Sequence, residues 1–255
     1  GGLERDAAVR RRLLPGDREL VLLRALIAAA AALAVGAPAA PGVTPIWHQL
    51  GRSGEGRPIR ALELRGARAE KTVLVVGCIH GTECAGLAAI RDLERTHDAT
   101  LDLWIVPNLN PDGYAHRTRQ NAHGVDLNRN FPAEWRAGPR GLEYPGPRPF
   151  SERETRIARN LVERIHPQLT VWFHQPQAIV RAWGPSVPVA RVYARAAHMA
   201  FRAIHWPTGT GPNWQNHRFP GCASFVVELA AGPLSAARAR LQVAGVLASS
   251  RAARC

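Results

Sequence analysis

Lysine is all but missing from this 255-residue chain: Lys71 is the only one, and arginine carries nearly all the rest of the positive charge behind a formal net charge of +13. With abundant Ala, Gly and Pro, this looks like a coding bias. Many cationic side chains do favour non-specific phosphate binding. However, no basic run is interleaved with aromatics as in a single-strand binding surface, so nucleic acid is not an expected partner; an acidic polymer is a mild expectation. Cysteine is scarce too. Cys78, Cys84, Cys222 and Cys255 are too few for a disulfide scaffold of this length, and no two form Cys-x-x-Cys. Their expected role is that of small buried hydrophobes, although an exported protein could pair two of them. Internal repeats are absent. The apolar run Ala25 to Val35 is only eleven residues long, too short to span a bilayer comfortably, so no stable membrane span is expected.

What is present reads as one large domain with an ordinary apolar content of 46%. The N-terminus stands apart. Arg5, Arg10, Arg11, Arg12, Arg18 and Arg24 precede the apolar run, which leads into Gly36-Ala37-Pro38-Ala39-Ala40. Basic region, short apolar core and small-residue site follow in the order of a secretory leader. Residues 1–40 are therefore expected to be a signal peptide, 41–45 a linker and 46–255 the functional domain. The protein would be exported to a periplasmic, cell-wall or extracellular location. An Ala-rich first helix of the fold is the competing reading, and would leave the protein cytoplasmic.

Beyond the linker, Ile59 to Leu64 alternates like a half-buried strand, whereas Thr72 to Val76 is a continuous apolar run suited to burial on both faces. Gly81 and Thr82 are expected to open a helix through about Arg95. Leu101 to Val106 is the next strand, closed by the turn-rich Pro107-Asn108-Leu109-Asn110-Pro111-Asp112-Gly113. Ser151 with Glu154 predicts a capping box before a helix striped by Ile157, Leu161, Val162 and Ile165. A strand from Leu169 ends at His174, a helix is expected around Pro188 to Ile204, and strand Ala223 to Leu229 precedes a last helix from Leu234 to about Leu247. This alternation predicts an α/β fold with a central, largely parallel mixed sheet flanked by helices. In such sheets ligands bind beyond the carboxyl ends of the strands. His80, Asn110, His174 and Glu228 all fall at or just after strand ends.

His80 and Glu83, in Val76-Gly77-Cys78-Ile79-His80-Gly81-Thr82-Glu83, offer an imidazole and a carboxylate to one metal. A catalytic zinc commonly takes three such protein ligands and keeps one position open. The pair alone is weak evidence in a chain with ten histidines and twenty acidic residues. The segment Gly124-Val125-Asp126-Leu127-Asn128-Arg129-Asn130-Phe131, preceded by Arg119, changes its weight. With Asn110-Pro111-Asp112-Gly113 between, and His174 and Glu228 downstream, the order resembles the zinc carboxypeptidases of the funnelin type. The pattern is most similar to the bacterial branch that includes murein peptide amidases. The resemblance covers about Gly51 to the C-terminus.

It implies a single-domain zinc-carboxypeptidase-like fold and a metallopeptidase with one zinc per chain, held by His80, Glu83 and His174. Asp126 would support a ligand histidine through a hydrogen bond that fixes its ring, with capping of local backbone as the competing role. Glu228 would serve as general base and then acid, and Arg119 would stabilise the oxyanion, with Arg117 a close alternative for that role. Asn128 and Arg129 would hold a substrate carboxylate, a task suited to the guanidinium fork. The implied substrate is a peptide or cell-wall peptide, cut by removal of a C-terminal residue or at an amide of a wall stem peptide.

One departure concerns specificity. The digestive members carry a tyrosine about twenty residues before the catalytic glutamate, whereas His205 to Pro220 contains none; Trp206, Asn213, Trp214, Asn216 and His217 stand there. Trp214 or His217 is a candidate for the substrate pocket, with loop packing the competing role. Two rival functions remain open: an N-acyl amino acid deacylase of the related aminoacylase group, and a zinc-retaining peptide- or wall-binding module without catalysis.

Overall fold

The computed structural model describes residues 42–255, and the expected leader lies outside them. Eight strands form one sheet: β1 (Val43–Arg52), β2 (Pro58–Gly66), β3 (Lys71–Val76), β4 (Leu101–Val106), β5 (Leu169–His174), β6 (Gln177–Ala182), β7 (Ala200–Ala203) and β8 (Ala223–Ala230), in the order β1-β2-β4-β3-β5-β8-β6-β7. The inner strands β4, β3, β5 and β8 run parallel, and antiparallel pairings attach β1–β2 on one side and β6 on the other. The short β7 adds to β6 in parallel.

Continuous apolar runs account for the centre. Val73 to Val76, Val171 to Phe173 and Phe225 to Val227 are buried, each large side chain contributing about 1.5–3 kcal/mol relative to exposure. The helices α1 (Gly86–Leu93), α2 (Pro111–His116), α3 (Arg153–Ile165), α4 (Val187–Ala196), α5 (Gly211–Arg218) and α6 (Ala236–Ala252) complete the domain. Among the described residues, no helix is long and apolar enough to cross a membrane. Lys71, at the start of β3, donates from Nζ to the carbonyls of Ser250, Arg251 and Ala253 at 3.2, 2.8 and 2.9 Å. The chain's one lysine thus satisfies carbonyls at the end of α6 that have no helical partner.

Several local expectations differ from the structure. Val43, Thr44 and Pro45, expected in a linker, open β1, where an edge position tolerates the proline. The helix after β3 starts only at Gly86, because the preceding residues form a loop packed tightly on α2. Ser151 and Glu154 make no capping box: Ser151 donates to Glu152, and Glu154 points inward to accept from Gly54 N and Asn121 Nδ2. The helix expected through Ile204 ends at Ala196, and the chain turns at His198, whose φ is +53°, into β7. All four cysteines are bonded, Cys78 to Cys84 and Cys222 to Cys255, with Cα separations of 4.8 and 4.4 Å.

Candidate active site

The carboxyl ends of β3, β5 and β8 lie side by side. Their pairing sets Val76 opposite Trp172 and His174 opposite Glu228, so a residue just after β3 meets the last residue of β5 and a carboxylate near the end of β8. The loop that carries His80 is fixed by contact with α2. Asn110 caps that helix by accepting from Gly113 N at 2.9 Å, with Pro111 in its first turn. A Cβ on Gly81 would overlap the Gly113 backbone, so only glycine permits this approach. Asn110 Nδ2 and Gly81 N both donate to the Arg119 carbonyl. One turn thereby sets the separation between the His80 loop and the Arg119 side chain.

His80, Glu83 and His174 converge with their ligand atoms all within 4.8 Å of one another. The Glu83 Oε2 atom lies between two imidazoles, 2.9 Å from His80 Nδ1 and 3.0 Å from His174 Nδ1. The opposite ring nitrogens are also held, His80 Nε2 at 2.9 Å from Asp126 Oδ1 and His174 Nε2 at 3.3 Å from Asn128 Nδ2. Two inward Nδ1 atoms and a carboxylate oxygen, with both rings fixed from behind, make the nitrogen and oxygen donor set that suits zinc.

Charge states follow from these contacts. Burial opposes charge on His80, but Asp126 and Glu83 outweigh it and raise its pKa above the ordinary 6.5. His174 has one carboxylate and an amide; burial dominates and pushes it down to about 4. Burial works against ionisation of Glu83 and of Asp126 as well. The histidines, joined by the nearby arginines at Asp126, nevertheless hold both carboxyls far below the usual carboxylate range. Glu228 shifts the other way, raised by burial and by the Glu83 carboxylate.

Arg119 donates from Nε to Asp126 Oδ2 at 3.0 Å and from Nη1 to Glu83 Oε1. Arg117 ends α2 in a left-handed conformation with its side chain exposed, so the structure separates the two arginines that the sequence left open. Asp126 also caps a short helical turn by accepting from Asn128 N at 2.9 Å. Its two proposed roles, ring support and backbone capping, are therefore filled together. Asn128 accepts from Gly211 N at 2.9 Å, and Arg129 donates to Glu143 Oε1 at 2.6 Å. Gly209, with φ of +68°, lies so close to the Arg129 backbone that a Cβ there would overlap it.

His80, Glu83, Arg119, Asn128, Arg129, His174 and Glu228 line one cavity of about 460 Å³, with Asp126 behind them. Arg181, Trp206, Gln175, Thr210 and Glu143 line it too. None of these was singled out as a site residue from sequence, although Trp206 falls in the tyrosine-free segment. Trp214 is instead packed against Phe131 and Phe150, and His217 does not reach this cavity.

Residues 41–211 match the family model of the zinc carboxypeptidases. The chain belongs to that family. Murein peptide amidase A of Escherichia coli (strain K12) is 34% identical over 150 residues, which cover 53% of this chain and 62% of that protein. The chain thus spans less than two thirds of the length of this curated relative. The crystal structure of a murein-tripeptide amidase from Escherichia coli O157 matches with a TM-score of 0.64 and 26% identity, covering 85% of this chain and 93% of that one. The carboxypeptidase A of Helicoverpa armigera gives a TM-score of 0.71 at 19% identity, over 92% of this chain and 80% of that one, and shows the shared fold. The family brings zinc with it, and the donor set around Glu83 suits that ion.

Proposed function

We propose that the protein is a zinc-dependent peptidase that hydrolyses a peptide or amide bond close to a free carboxylate, with peptides of the murein type as its substrate class. The observation that carries this reading is the placement of Glu83 Oε2 between two fixed Nδ1 atoms on the wall of a cavity that also holds Glu228. His80 and His174 through Nδ1, together with Glu83, would hold the metal. Bound there, zinc supplies Lewis-acid polarisation of the scissile carbonyl and acidification of water.

The chain's own side chains supply the rest. Glu228 is buried and its Oε2 has no hydrogen-bond partner, so it is free to take a proton from the attacking water. The same carboxyl returns it to the leaving nitrogen. Arg119, held by Asp126 and Glu83, faces the cavity and meets the charge that develops on the carbonyl oxygen. Asn128, whose Nδ2 lies 3.3 Å from His174 Nε2, lines the cavity beside the guanidinium of Arg129, where the two side chains would hold the substrate carboxylate. Glu143, on an exposed loop, occupies that guanidinium in the free protein and would be displaced.

Export is part of the proposal. The basic and apolar order of residues 1–40 supports it, and so do two disulfides in a chain with no free cysteine among its described residues. The test is a panel of blocked peptides, free peptides and muropeptides, assayed with and without a chelator. Glu228→Gln is expected to retain zinc and lose hydrolysis by about 10²–10⁴-fold. Undiminished turnover by that variant, or activity on acyl-amino acids alone, would sink the reading.

A further inference from the structure

Two of the three proposed metal ligands stand on irregular backbone. His174 is the last residue of β5, but His80 and Glu83 lie in the loop between β3 and α1, and the Cys78–Cys84 disulfide closes that loop at its base. The bond joins a residue just before His80 to the residue directly after Glu83. A sequence separation of 6 could span about 20 Å when extended, whereas the Cα atoms of the two cysteines are 4.8 Å apart. The chain is therefore folded back on itself, with both ligands on the enclosed turn. Inside it, Glu83 N donates to the His80 carbonyl at 2.9 Å.

The two ends of the loop differ in their surroundings. Cys78 is fully buried and its carbonyl accepts from Leu109 N at 2.8 Å, while the adjoining Gly77 leaves no room for a Cβ against Pro107 and Ile90. Cys84 is half-buried, close to the exposed Thr82. Two thiol sulfurs cannot stay at the separation of a bonded pair, so breaking the bond displaces the end that is free to move. That end carries Glu83, whose Oε2 lies between His80 Nδ1 and His174 Nδ1. What opposes the movement there is a pair of hydrogen bonds: Gln175 Oε1 accepts from Ala85 N at 3.0 Å, and Gln175 N donates to Glu83 Oε2 at 3.3 Å. Ligands on a loop depend on such supporting contacts more than ligands on strands do, and a displacement of about 1 Å is enough to spoil a site.

We infer that Cys78 and Cys84 are positioning residues for the metal: their bond holds Glu83 against the two imidazoles, and the protein binds zinc tightly only in its oxidised state. The inference rests on the zinc reading of this site. A dithiol reductant reverses the arrangement by thiol–disulfide exchange. Its first thiolate attacks Cys84 Sγ, the more accessible sulfur; the S–S bond breaks, and Cys78 leaves as a thiolate that takes up a proton. The second thiolate of the reductant then displaces Cys84 from the mixed disulfide. The reductant ends oxidised to a disulfide and the protein reduced to two thiols. A chain in a reducing compartment would thus hold the metal weakly, and the centre would be completed where disulfides persist.

The test is zinc affinity, measured by competition with a chromophoric chelator in oxidised protein and in protein reduced by a water-soluble phosphine, which brings no thiol to compete for the metal. In the Cys222→Ser/Cys255→Ser protein, Cys78–Cys84 is the only disulfide that reduction can break. Its affinity is expected to fall about 10–100-fold on reduction, the loss typical of removing a partner that orients a ligand, and to return on reoxidation. The Cys78→Ala/Cys84→Ala protein should bind zinc weakly in both conditions. The parent against that variant gives the same comparison should the first variant not fold. A denaturant midpoint lowered by reduction with zinc affinity unchanged marks a purely stabilising bond and overturns the inference. So does tighter binding after reduction, which would mean that the freed thiolates take the metal themselves, or thiol titration showing Cys78 and Cys84 unbonded in the oxidised protein. An oxidised parent that takes up no zinc removes the metal reading and the inference with it, whereas tight binding indifferent to reduction removes the inference alone.

Discussion

His80 touches two carboxylates, through Nδ1 to Glu83 and through Nε2 to Asp126, and both contacts are best made when each nitrogen carries a hydrogen. A zinc ligand must be a neutral imidazole. Metal uptake therefore has to expel a proton from His80, whose pKa is raised, while His174, pushed down to about 4, is already neutral near pH 7. The sign follows: protons compete with the metal at His80, so zinc affinity is expected to climb as pH rises through the His80 pKa and to weaken on acidification. Calorimetric titration of metal-free protein in buffers of different ionisation enthalpy should show proton release near neutral pH; uptake with no release would contradict this account. Asp126 fixes His80, Arg119 and the backbone of Asn128 together. Asp126→Asn is expected to lower zinc affinity about 10–100-fold, measured by competition with a chromophoric chelator.

At the scale of elements, the segment carrying Asn128 and Arg129 is anchored from behind by Phe131. That ring is fully buried against Trp172, Trp214 and Phe150, with centroids 6.1, 5.6 and 5.5 Å away. Phe131→Ala is expected to cost about 3–5 kcal/mol, read from the denaturant midpoint, and to loosen the carboxylate clamp. The inner strands and the metal pair were legible in the sequence because each rests on local information: a continuous apolar run, or donor residues at fixed spacing. Elements defined by their neighbours were not. β1 and β7 are half-exposed edge strands with mixed composition, and β6 follows β5 with only Gln175 and Pro176 between them. The helix α5 has the Thr210 cap and Pro212 in its first turn, yet its face carries too little apolar periodicity to mark it in the sequence. Arg181 is hidden for a related reason: in the sequence it is one of many arginines, and only the fold places it on the cavity wall.

For the whole molecule, the Cys222–Cys255 bond ties the end of the chain to the start of β8 across 33 residues. The closed loop contains all of α6 and the strand that presents Glu228. Cys255→Ser is expected to lower stability by about 2–4 kcal/mol under oxidising conditions, with the difference from the parent vanishing once both are reduced. An equal midpoint for the two oxidised proteins would show that the bond does not form in solution.

The anchoring of Lys71 has a practical corollary. Reagents that acylate primary amines meet only one lysine side chain anywhere in this protein, and its Nζ is already committed to three carbonyls at the end of α6. The surface is thus nearly silent to amine-directed labelling, coupling and crosslinking. A single lysine introduced at a chosen exposed arginine would become a near-unique handle for a fluorophore or a solid support, placed away from the cavity.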